Sequence, residues 1–90
     1  KEGLTVLHLI ADRGLMELWY LIKNLKVDIN CVDNNLNTPL HYAAVNGNHD
    51  LAEQLILYGA EVASLNDQKE SPLHWAYLSE ESESIVRLLR

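Results

Sequence analysis

The chain has 90 residues, of which 48% are hydrophobic and 22% charged, enough for one folded domain and unlike a disordered segment. Thirteen acidic against seven basic residues give a formal net charge of -6, and the scattered bases form no stripe. Nucleic acid and anionic membrane both select clustered Lys and Arg, so neither is expected as the main ligand. Cys31 is the only cysteine, which rules out an internal disulfide. No apolar run nears the roughly 18 residues of a membrane span, and no signal pattern opens the chain. Membrane insertion is therefore not expected, and an intracellular setting, cytoplasmic or nuclear, is.

From the N-terminus, the first element opens at Thr5-Val6-Leu7-His8 and reaches Gly14. Leu18, Leu21, Ile22 and Leu25 follow at helical spacing. A polar stretch containing Asn34, Asn35 and Asn37 leads to a second opening, Thr38-Pro39-Leu40-His41. Thr38 is suited to cap a helix, because its hydroxyl can accept from an unpaired amide of the first turn. Pro39 suits the next position, where a missing N–H costs nothing. Leu40, Ala43 and Ala44 predict a small apolar face, and Gly47 predicts the stop. Asp50 sits at the start of the next helix, whose apolar residues are Leu51, Ala52, Leu55, Ile56 and Tyr58 and whose end is Gly59. Residues 61 to 70 are polar and turn-rich. The third opening is Ser71-Pro72-Leu73-His74, and Ile85, Val86, Leu88 and Leu89 close the chain.

His8, His41 and His74 are 33 residues apart, as are Ala11 and Ala44, Gly14 and Gly47, Ile29 and Val62, and Ala43 and Ala76. Several coincidences in phase mark an internal repeat. Each helix spans about two turns, well short of the roughly 12–15 residues at which isolated helices become marginal in water. One unit therefore cannot stand alone, and stacking must bury its faces.

A 33-residue helix–turn–helix–loop with this opening resembles the ankyrin repeat family. The resemblance is densest from Thr38-Pro39-Leu40-His41-Tyr42-Ala43-Ala44 to Gly47, and from Leu55-Ile56 to Gly59-Ala60. It implies an all-α solenoid of stacked helix–turn–helix units joined by β-hairpin-like loops. It also implies a single domain over residues 1–90, with repeats near 1–33, 34–66 and 67–90. The apolar Leu9, Ile10, Trp19 and Tyr20 of the first repeat suggest a piece of a longer array, and predict concentration-dependent self-association. Trp19 and Tyr20 read as repeat-to-repeat packing.

The chain departs from the family pattern in five places. Val6 replaces the opening proline of repeat one, and Lys26 stands where its second helix should end in glycine. Leu36 and Lys69 occupy turn positions that are usually glycine, so those turns are expected to be rearranged or mildly strained. Residues 79–84 replace the first-helix stop of repeat three. The second helix there fits only with one inserted residue, predicting a longer and more mobile connection.

Catalysis, a metal and a cofactor are all unexpected. There is no H-E-x-x-H, C-x-x-C, P-loop or G-x-S-x-G pattern. His49 with Cys31 lacks zinc spacing. Ser71 beside His74 is a capping serine before it is a nucleophile. Glu80, Glu81 and Glu83 read as a solvated loop, and Cys31 as small buried filler. For His8, His41 and His74 the resemblance implies imidazoles bridging the cap hydroxyl and the backbone of a neighbouring loop. Asn30 resembles a loop asparagine that ankyrin proteins offer to an asparaginyl hydroxylase, and also reads as a turn residue.

The partner implied is another protein, held by the loop tips and the concave side of the first helices. The implied loop residues are Asn34, Asn35, Asn37, Asp67, Gln68 and Glu70. The implied helix residues are Asp12, Arg13, Tyr42, Val45, Asn46, Trp75, Leu78 and Ser79. Trp75 and Tyr42 are the expected anchors, because aromatics dominate interface energies. Either could instead pack against a loop base. The acidic tips favour a basic or polar partner. A regulatory segment of a larger enzyme or ion channel is the alternative reading.

Overall fold

The computed structural model describes residues 5–78 and 82–90. They form six short helices: α1 (Val6–Arg13), α2 (Met16–Ile22), α3 (Pro39–Val45), α4 (His49–Leu57), α5 (Pro72–Ala76) and α6 (Ser82–Leu89). No strand occurs among the described residues. The helices pair as α1 with α2, α3 with α4, and α5 with α6. α3 packs between α1 and α5, and α4 packs on α6, so the pairs stack in chain order.

The three openings work as their composition predicts. Thr5, Thr38 and Ser71 each accept a hydrogen bond from the amide three residues on, in His8, His41 and His74. Each histidine side chain accepts in return from the backbone amide of the capping residue, so imidazole fills the role Glu plays in a conventional capping box. Such a cap is worth about 1 kcal/mol, a large share of what a helix of two turns can hold. Gly14 ends α1 at φ 68, with its would-be Cβ only 2.9 Å from Nδ2 of Asn48. A side chain there would strain the backbone and push on the neighbouring repeat.

One continuous core runs through the stack, including Leu7, Ile10, Ala11, Trp19, Leu40, Ala43, Ala44, Leu51, Leu55, Ala76 and Ile85. Equivalent positions show which side faces the next pair. Ala11 and Ala44 are fully buried at successive junctions, whereas Tyr77, in the same place on the third pair, is 61% exposed. His8 and His41 are buried, while His74 is exposed.

Two expectations need correction. Of the apolar set expected in the second helix of repeat one, Leu18, Leu21 and Leu25 are exposed and only Ile22 is half-buried. The buried residue is Trp19, whose indole donates to Oε1 of Gln54 at 3.1 Å and meets Tyr58 edge-on. It packs between repeats as expected, but Tyr20 is exposed. α2 also stops at Ile22, two residues before the place matching the end of α4, which leaves Leu25 outside any helix. In repeat three, Ser82 to Ser84 already belong to α6, yet the connection from Ala76 to Ser82 is still longer than its counterparts in the first two pairs, as expected. The expected mobile residues 79–81 lie outside the described residues. The inserted residue is real in register, since Ile85 and Leu89 are buried 34 positions after Leu51 and Leu55.

Leu36 and Lys69 keep the left-handed turn that glycine would supply, at φ 65 and φ 63. This conformation costs an L-residue about 1–2 kcal/mol, partly offset by about 0.5–1 kcal/mol of extra chain entropy that glycine would lose. Lys69 is exposed, so little packing is forfeited with its side chain. Lys69→Gly is therefore expected to stabilise the chain by about 0.5–1 kcal/mol, read as a higher urea midpoint at unchanged slope. A lower midpoint would contradict this account of the turn.

Candidate interaction surface

The surface is built on a bond that recurs once per junction. Nε2 of His8 lies 2.8 Å from the carbonyl oxygen of Asn37, and Nε2 of His41 lies 2.8 Å from that of Glu70. A carbonyl can only accept, so Nε2 carries the proton in both. Nδ1 of His41 accepts from the Thr38 amide at 3.1 Å and from its hydroxyl at 2.9 Å. Each imidazole thus ties its own helix cap to the residue just before the next cap. Burial holds the His41 imidazole below its ordinary pKa, outweighing the bond to Glu70 and the nearby charges of Glu70 and Asp33, which act in the opposite sense.

Asp33 and Asn66, 33 residues apart, shape the two loops those carbonyls belong to. The Oδ1 of Asp33 accepts from the amides of Asn35 and Asn37, both at 2.9 Å. The Oδ1 of Asn66 accepts from the amides of Gln68 and Glu70, again at 2.9 Å. Two backbone bonds close each turn, Asp33 N–H to Asn37 with Leu36 N–H to Asp33, and Asn66 N–H to Glu70 with Lys69 N–H to Asn66, giving a hairpin-like loop without strands. The loops are joined to each other by Asp67 N–H to the Asn35 carbonyl at 3.0 Å and by Asn66 Nδ2 to Asn37 Oδ1 at 2.9 Å.

The aromatic residues fasten these loops to the helices. Tyr42 donates its hydroxyl to Asp33, and Trp75 donates its indole N–H to Oε1 of Glu70 at 2.9 Å. The two rings meet edge to face at 5.5 Å and 89°. Burial and the bond to Asp33 push the Tyr42 hydroxyl up to about 12. Burial alone would raise the Asp33 carboxyl, but the donors from Tyr42, Asn37 and Asn35 outweigh it and hold it below its ordinary range. Hydrogen bonds from Asn66 and Trp75 likewise lower Glu70.

Asp12, Arg13, Asn34, Asn35, Asn46, Asp67, Gln68 and Leu78 are exposed; Tyr42, Val45, Glu70 and Trp75 are half-buried. Asn37 corrects an expectation: it is buried, with its side chain spent on Asp33 and Asn66, so it supports the surface from beneath. Ser79 lies outside the described residues. Tyr42 and Trp75 do pack against loop bases, and both are half-buried. Sequence reasoning missed Asp33 and Asn66, although short polar side chains at matching repeat positions are the signature of such turns.

A groove of about 280 Å³ runs between the two loop tips, lined by Asn35, Asn37, Asn66, Asp67, Gln68, Glu70 and Trp75. A larger apolar one of about 510 Å³ lies along α2, by Leu15, Met16, Leu18 and Leu21. Asn30 bonds across to the next repeat at both ends of its amide, with Nδ2 on the Gly59 carbonyl and Oδ1 on the Glu61 amide. Burial pushes the Cys31 thiol up, opposite to what a reactive thiolate requires. His49, Asp50 and Glu53 bring ligand atoms within 4.8 Å of one another, on the largely solvated start of α4.

Residues 7–90 match the family described as ankyrin repeats (3 copies). The chain belongs to the ankyrin repeat family. An ankyrin repeat protein of Fowlpox virus (strain NVSL) is 50% identical over 44 residues, covering 49% of this chain and 9% of its own length. The transient receptor potential cation channel subfamily A member 1 homolog of Caenorhabditis elegans is 33% identical over 61 residues, 68% of this chain and 5% of the channel. Palmitoyltransferase AKR1 of Lachancea kluyveri is 30% identical over 92 residues, 98% of this chain and 12% of that protein. The ankyrin stack thus spans only a small part of each relative.

The buried His41 imidazole makes the ankyrin stack sensitive to acid. The unfolded chain takes up a proton as pH falls through about 6.5, while the folded chain resists it. His41 therefore supports stability fully above that pH and progressively less below it. Asp33 and Glu70, with lowered folded values, lose their contributions only lower, from about pH 4 downward. Urea unfolding should show a lower midpoint at pH 5.5 than at pH 7.5, and His41→Gln should shrink that difference. Equal midpoints for the parent protein would contradict the assignment.

Proposed function

We propose that this ankyrin stack is a non-catalytic scaffold that binds a partner protein through its loop tips and the concave side of its first helices. Ankyrin repeats commonly mediate protein–protein interaction, and among the described residues no helix is long and apolar enough to cross a membrane. The observation that carries the reading is the Tyr42–Trp75 pair, fastened to the loops through Asp33 and Glu70. A partner meets rings already fixed in place, so little side-chain entropy is lost on binding. Asp12, Arg13, Val45, Asn46 and Leu78 extend the contact along the first helices. Asn34, Asn35, Asp67 and Gln68 extend it along the tips.

The likeness to a cation channel and a palmitoyltransferase favours a second reading. In it, the stack is a regulatory segment of a larger enzyme or channel and the partner lies in the same polypeptide. Both readings treat residues 1–90 as one domain of a longer array, acting inside the cell, and both use the same face.

A photo-crosslinker placed at Gln68, on the tips, is compared with one at Leu57, on the second-helix side, each in cell extract. Adducts are expected from Gln68 and not from Leu57. Trp75→Ala should weaken capture about tenfold or more, the loss typical of a central aromatic anchor. Adducts from Leu57 alone, with Trp75→Ala silent, would refute the concave-face reading.

A further inference from the structure

Resting on the protein-binding reading above, we propose that the groove between the two loop tips receives an arginine side chain of the partner protein. Two acidic residues, Asp67 and Glu70, line this groove, and no lysine or arginine does. Trp75 lines it as well, an aromatic residue beside those two acids. A planar guanidinium satisfies both at once, since it can donate in parallel to carboxylate oxygens and stack on an aromatic ring. The strongly hydrated ammonium of lysine matches only the charge.

The hydrogen bonding of Glu70 points the same way. Asn66 and Trp75 both donate to Oε1, and no described residue donates to Oε2. Asn37, the equivalent residue one repeat earlier, accepts at its side-chain oxygen from Asn66 of the next loop. Glu70 presents a full negative charge where the preceding repeat has an internally paired amide. The groove is also preformed: Asn66 fixes the loop, and the Asp67 amide is bonded to the Asn35 carbonyl. Its two walls come from different repeats, so it lies over their junction. At about 280 Å³ it is near the bottom of the range for small-molecule pockets, a size for one inserted side chain.

The test is a nuclear magnetic resonance titration of the ¹⁵N-labelled chain with the capped peptide Ac-Gly-Arg-Gly-NH2. Counterparts carrying citrulline or lysine are titrated in parallel. The indole N–H of Trp75, bonded to Glu70, reports on the groove, and that of Trp19, bonded to Gln54, serves as an internal control. The arginine peptide should move the Trp75 signal saturably, with half-saturation on the order of 10 mM, and leave Trp19 still. Citrulline and lysine peptides should each bind at least threefold more weakly. Glu70→Gln, and independently Asp67→Asn, should weaken the arginine response at least threefold while the Trp19 signal shows the fold intact. No saturable shift, an equal response to citrulline, or an equal response to lysine would overturn the assignment. Should the parent chain give the Gln68 adduct in extract while the arginine peptide produces no saturable shift, the arginine proposal falls and the protein-binding reading stands.

Discussion

Everything in this stack depends on a histidine reaching from one helix cap to the carbonyl that precedes the next. Each helix is too short to persist alone, so the pairs need a fixed spacing and rotation before their small apolar faces can close. Leu, Ala and Ile contacts provide the burial but little direction, because apolar packing has no preferred hydrogen-bond axis. The imidazole supplies the direction. It satisfies the cap on one side and a carbonyl of the next loop on the other, and among the described residues no buried side-chain nitrogen or oxygen lacks a partner. Burial of that imidazole sets the acid limit, and a proton on Nδ1 would face the Thr38 amide instead of accepting from it.

The surface follows from that constraint. The carbonyls held by His8 and His41 belong to Asn37 and Glu70, which close the loops shaped by Asp33 and Asn66. Fixing the carbonyl fixes the loop, and the loop in turn offers an acceptor to Tyr42 or Trp75. Cap, loop and aromatic ring are therefore one unit repeated, and the proposed partner would meet tips braced from beneath. Asn35 and Asp67 project from that row, while Asn37 is spent within it.

The fold was legible in the sequence because the 33-residue beat fixes both the helix caps and the partner of each apolar face. The departures were harder. Lys69 and Leu36 show that a turn can keep its left-handed geometry without glycine when the flanking hydrogen bonds demand it, which composition alone does not reveal. Leu21 and Leu25 look like core by spacing, yet α2 ends early and Trp19 fills the space, so periodicity overstated burial. In the surface, Trp75 and Tyr42 were visible as aromatics of the right register. Asp33 and Asn66 were not, because their role depends on backbone amides that only the folded loop brings together.

The central claim is that the repeats stand or fall together through these junctions. Single-tryptophan variants, Trp75→Phe to watch repeat one and Trp19→Phe to watch repeat three, allow urea unfolding to be followed at each end. With His41→Leu added to either background, both ends should unfold in one shared transition at a lower urea concentration. Two separate transitions, with the first repeat outlasting the third unchanged, would contradict the account.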